Sequence, residues 1–117
     1  MINQGLDTLR QAKVIDEDIY QGMLAVIKQL QCHYCLRPLP TEQGWLAIAH
    51  MANALMRCRQ QRPVSPLDNE ILAEIAEAGK LEEIRELNTA LMKNFTVELH
   101  PDEEGYLLAN WYSLSQL

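Results

Sequence analysis

Apolar residues recur along the chain at helical intervals, in blocks separated by proline. Ile2, Leu6 and Leu9 share one side of residues 1–14, which read as a short N-terminal arm or helix. Asp16, Glu17 and Asp18 form an acidic start that suits the positive end of a helix dipole. Ile19, Met23, Val26, Ile27 and Leu30 then follow at helical spacing, predicting a helix that reaches residues 32–34. Pro38 and Pro40 stop it. Thr41 can cap the next helix, whose inward stripe is Trp45, Ile48, Ala49, Ala52, Leu55 and Met56. That helix runs to about Gln61, and Pro63 and Pro66 end it. Asp68 is placed to cap a short helix, Ile71 to Ala78, closed by Gly79. A further helix spans Leu81 to Asn94, with Ile84, Leu87, Leu91 and Met92 inward. Phe95, Val97 and Leu99 alternate over too short a stretch for a strand and read as an extended connection. Pro101 suits the first turn of a last helix, followed there by Asp102, Glu103 and Glu104. Tyr106, Leu107, Leu108, Trp111 and Leu114 carry that helix on. The pattern predicts an all-α fold: a five-helix antiparallel bundle over residues 15–117, preceded by the arm at 1–14.

Composition supports one helical core. The chain has 117 residues, of which 48% are hydrophobic and only 6% aromatic, which disfavours a strand-rich sandwich. No apolar run approaches the length of a membrane span. The first residues lack the charged-then-apolar order of a signal peptide, and the three cysteines form an odd set. A cytoplasmic protein with free thiols is the expectation. The net charge of −6 argues against broad nucleic-acid binding. It is unevenly spread: residues 1–62 sum to +2 and residues 63–117 to −8. Such a division either steers a charged partner or reflects solvated helix faces.

Three places invite a chemical reading. His50, Asn53 and Arg57 share a helix face beside the apolar stripe. An imidazole, an amide and a guanidinium in a row can receive and hold a phosphoryl group. The alternative is a boundary histidine bonded to a neighbouring helix, with Arg57 on the surface. Cys32-His33-Tyr34-Cys35 places two thiols three residues apart, as a zinc or redox pair would. Four ligands are needed for structural zinc, and no second pair exists, so small side chains at a helix end are the simpler reading and no metal or cofactor is expected. Asp102, Glu103 and Glu104 read as complements to a helix dipole, and His100 as a loop residue. No glycine-rich phosphate loop or Ser/His/Asp order points to an enzyme.

Two segments together resemble a known family. Trp45-Leu46-Ala47-Ile48-Ala49-His50-Met51-Ala52-Asn53-Ala54-Leu55-Met56-Arg57 is similar to the histidine helix of PTS regulation domains, where an arginine follows the histidine by seven residues. Pro101-Asp102-Glu103-Glu104-Gly105-Tyr106-Leu107-Leu108-Ala109-Asn110-Trp111 resembles the family's closing helix. Leu67-Asp68-Asn69-Glu70-Ile71-Leu72 fits the family's middle, so the resemblance covers roughly residues 15–115. It implies a five-helix bundle, often dimeric, that acts as a phosphorylation target of the bacterial sugar phosphotransferase system. The donor is the phosphocarrier HPr or an enzyme II component, and the output is transcription control. His50 matches the first family histidine and Arg57 its arginine, with Asn53 as a supporting donor. Asn110 stands where the second family histidine falls, and Ala49 where an acidic residue usually precedes the first. Asparagine does not accept a phosphoryl group, so the resemblance implies modification at His50 alone. A free-standing sensor or adaptor without its own nucleic-acid-binding domain is the expected function. A non-phosphorylated interaction module and a small cysteine-based zinc or redox protein are the alternatives.

Overall fold

The computed structural model describes residues 2–32, 41–62 and 69–115. Six helices occur among them: α1 (Ile2–Gln11), α2 (Glu17–Cys32), α3 (Thr41–Arg59), α4 (Asn69–Glu77), α5 (Leu81–Met92) and α6 (Pro101–Ser115). The described residues contain no strand, which agrees with the all-α expectation. The count of five needs correction to six, because the N-terminal segment is a packed helix. Leu6 of α1 is fully buried in the common core, and α1 lies against both α2 and α3. Gly5 makes the approach to α3 possible, since a Cβ there would sit 2.5 Å from the Trp45 ring. The Tyr20 hydroxyl ties α1 to α2 by donating to Asp7 at 2.6 Å, and the Arg10 guanidinium lies 4.2 Å from the Tyr20 ring centre.

The helices form two groups of three. α1, α2 and α3 contact one another, as α4 and α5 contact α6 and each other. α3 and α6 join the groups. α3 is therefore buried over a wider arc than one stripe: Ala47, Ile48, Met51, Ala52, Ala54 and Leu55 are all inside. On α5, Ile84, Leu87 and Leu91 point inward as expected, and Asn88 joins them to accept a hydrogen bond from the buried Trp111 indole at 2.9 Å. Burying an amide is tolerable because that bond satisfies it.

The ends of the helices follow local rules. Gly79, at φ +72°, closes α4, with Lys80 N–H bonded to Ile75 O and Gly79 N–H to Ala76 O. The same pair of bonds closes α1 at Lys13 and α3 at Gln61, both left-handed without being glycine. The extended connection after α5 packs Phe95, Val97 and Leu99 against the core. The Phe95 ring occupies the space a side chain on Gly22 would need, which pins the connection onto α2. The proline links at 38–40 and 63–66, and the cap expected at Asp68, lie outside the described residues.

Candidate functional site at the seam of α3 and α6

The seam is built from two matching patterns. His50, Asn53 and Arg57 on α3 are spaced three and four residues apart, as are Glu103, Tyr106 and Asn110 on α6. Either set makes one face over about 10 Å of helix. Arg57 meets Glu103, whereas His50 meets Tyr106 and Asn110. The contacts run in opposite chain order, so α3 and α6 are antiparallel here.

At one end lies an ion pair. Arg57 Nε donates to one Glu103 oxygen at 2.7 Å and Nη2 to the other at 3.0 Å. Glu103 is 0% exposed and the Arg57 side chain 30%. The dipole reading of the acidic triplet therefore needs correction at its middle member. Glu103 N–H belongs to the first turn of α6, bonded to His100 O, but the carboxylate is turned inward to the arginine. Glu103 precedes Leu107, Trp111 and Leu114 at helical spacing, so it occupies the first position of the buried stripe. That was a readable signal: an acid in phase with apolar residues.

At the other end, Asn110 Nδ2 and His50 Nδ1 are 3.0 Å apart. The Tyr106 ring is tilted against the imidazole, with centres 5.7 Å apart. His50 is half-buried. Burial first, and then the Arg57 charge, push its pKa below the ordinary 6.5, while Glu103 pulls the other way. The imidazole is thus neutral at neutral pH. With Nδ1 facing the Asn110 amide, Nε2 is the nitrogen left for chemistry. A cavity of about 350 Å³ lies between the two ends, lined by His50, Asn53, Arg57 and Tyr106. The sequence grouping of His50, Asn53 and Arg57 is thus one physical place, and Asn110 stands beside it. Tyr106 and Glu103 complete it.

The other candidates lie elsewhere. Cys32 is exposed at the end of α2, and His33, Tyr34 and Cys35 are outside the described residues. Among the described residues no group of three or more His, Cys, Asp or Glu side chains is arranged to hold a metal. Cys58 and His100 line a wider hollow of about 800 Å³ with Arg59, Gln61 and residues 96–101. There Cys58 Sγ accepts the His100 N–H at 3.3 Å, and burial pushes the thiol pKa up, which keeps it protonated and unreactive. His100 is more than a loop residue: its Nδ1 accepts the Asp102 N–H at 3.0 Å and caps α6.

No helix among the described residues is long and apolar enough to cross a membrane. No family model matches the chain, and no solved structure matches it. The chain is 47% identical over 109 residues to the uncharacterized protein YhfY of Escherichia coli strain K12, across 93% of this chain and 90% of that protein. With that identity over nearly the full length of both, the chain belongs to the family of YhfY.

Proposed function

We propose that this chain is a regulatory domain phosphorylated on His50, similar to PTS regulation domains, with HPr or an enzyme II component as donor. One observation carries the reading: a neutral, half-buried imidazole borders a cavity that it shares with an arginine, an asparagine and a tyrosine. In the transfer step, Nε2 of His50 attacks phosphorus in line with the donor's P–N or P–S bond. The N–P bond to His50 forms as the donor bond breaks, and the donor nitrogen or sulfur leaves with the electron pair. Before the attack the Asn110 amide makes a half-turn, so that Oδ1 accepts from Nδ1–H and the ring takes the tautomer with Nε2 unprotonated. The proton then remains on Nδ1 through the transfer. Asn53 and Arg57 donate to the phosphoryl oxygens. The new charge lies at the junction of the two helix groups, so it biases their packing, or a homodimer interface, and thereby a regulator protein partner.

Incubation with phosphoenolpyruvate, enzyme I, HPr and candidate enzyme II components, followed by intact mass measurement, tests this. The expected result is an acid-labile gain of about 80 Da, one phosphoryl group, absent in His50→Ala. No gain with any active donor rejects it.

A second reading treats the seam as structural and the chain as a non-phosphorylated interaction module. It is favoured by the commitment of Arg57 Nε and Nη2 to Glu103, and of Asn110 to His50. Unchanged partner binding in His50→Ala, together with no mass gain, selects it.

A further inference from the structure

We infer that Glu103 is a positioning residue that holds Arg57 edge-on, making the cavity beside it a binding site for a free tetrahedral oxyanion such as phosphate. This deepens the reading above and rests on it for the choice of cavity, but not for the transfer reaction.

The geometry of the pair is the starting point. Glu103 takes Nε and Nη2, one edge of the guanidinium. Nη1 makes no hydrogen bond to any described residue, although Arg57 lines the cavity. A guanidinium is planar and rigid, so fixing one edge fixes the other. The carboxylate doing the fixing is itself fully buried. It is therefore held by the fold and does not compete from solvent. Around the cavity, Asn53 and Tyr106 add an amide and a hydroxyl, and His50 a ring nitrogen. These three neutral groups can donate with no change of charge, and Arg57 supplies the cation. A tetrahedral oxyanion needs donors converging from several sides, and these come from two helices.

The test is titration of the full chain with inorganic phosphate, followed by NMR of the His50 ring protons and the Arg57 side-chain N–H groups. Sodium chloride at matched ionic strength is the control. The wild type is expected to show saturable shifts at both residues. The Arg57 Nε–H signal should stay in its bonded position, because Glu103 keeps its hold. Glu103→Gln is expected to bind phosphate about tenfold more weakly, since a neutral amide accepts one of the two N–H groups and releases the other. Arg57→Lys retains the charge and a single bond to Glu103 but has no second edge, and should lose binding to a similar degree. It also decides the question if Glu103→Gln does not fold. Absence of saturable shifts in the wild type overturns the inference. So does tighter or unchanged binding in Glu103→Gln, or loss of the bonded Nε–H signal on phosphate addition, because Glu103 would then be a competitor. Unchanged binding in Arg57→Lys overturns it too. A chain that binds phosphate yet accepts no phosphoryl group from any donor keeps this inference while losing the transfer reaction.

Discussion

Two acidic triplets open two helices; one gives two carboxylates and the other a single carboxylate to an arginine near the end of α3. Asp16 and Asp18, at the start of α2, hold Arg59 at 2.6–2.8 Å. Glu103, in the first turn of α6, holds Arg57 at 2.7 and 3.0 Å. The distances are alike and the surroundings are not. The two aspartates are about half exposed, at 51% and 53%, while Glu103 is 0% exposed. Phase along the helix makes the difference. Around the start of α2 the inward positions belong to Ile15, just before the helix, and Ile19, at 2% and 0% exposed, so the acids between them face water. On α6 the inward position belongs to Glu103. The same composition at a helix start thus gives a surface cluster in one case and a buried pair in the other. A buried carboxylate has no water to fall back on, so the arginine it holds matters far more than the surface arginine does.

The largest effect that would test this contrast is Arg57→Met. It removes the guanidinium that the buried Glu103 holds and is expected to lower the unfolding free energy by about 3 kcal/mol near pH 7. Urea unfolding at unchanged slope measures it. A loss no greater than that of Arg59→Met would erase the distinction between the triplets. Adding Glu103→Leu to Arg57→Met should return about 2 kcal/mol of that loss, because the buried charge is gone. Failure to recover would place the cost in packing lost with the arginine stem.

The pH dependence sharpens the comparison next. The folded pKa of His50 lies below its unfolded value of about 6.5. The unfolded chain therefore takes up its proton first, and stability falls as pH drops from 6.5 toward the folded pKa. His50→Gln should flatten the stability curve in that window. Asp18, lowered chiefly by its bond to Arg59, contributes above 3.8, and its share goes as pH falls through its folded pKa. The seam should thus weaken at mildly acidic pH, well before the surface cluster does. Smallest of all, Arg59→Met is expected to cost about 0.5 kcal/mol. That loss should disappear in about 1 M salt, where exposed charges are screened over a few ångströms. A persistent loss would mean that the cluster is drier than its exposure indicates.

Much of this was legible along the chain. Apolar spacing located α2, α3, α5 and α6 to within a few residues, and Gly79 closed α4 as a left-handed position should. It also grouped His50, Asn53 and Arg57, because residues three and seven apart share a helix face wherever the helix sits. α1 was only half legible. Ile2, Leu6 and Leu9 show the pattern, but ten residues do not make a stable helix alone, and its tie to α3 runs through Gly5 and Trp45, forty residues away. The phase of Glu103 with the apolar stripe was visible, but its burial, like that of Asn88, was not, for a common reason. A polar side chain on an apolar stripe is buried only if a partner is waiting, and those partners, Trp111 and Arg57, come from other helices.

The sequence by itself determined the helices, their approximate limits and the contents of each face, since these depend on residues within a turn or two. It also grouped His50, Asn53 and Arg57, which line the cavity, but not Tyr106, which joins them from α6. Only the tertiary structure decided that α3 and α6 run antiparallel with Arg57 against Glu103 and His50 against Asn110. Which face meets which depends on how all six helices share one core, and no interval along a single helix encodes that choice. The buried carboxylate, the lowered imidazole pKa and the cavity between them are all consequences of that one packing arrangement.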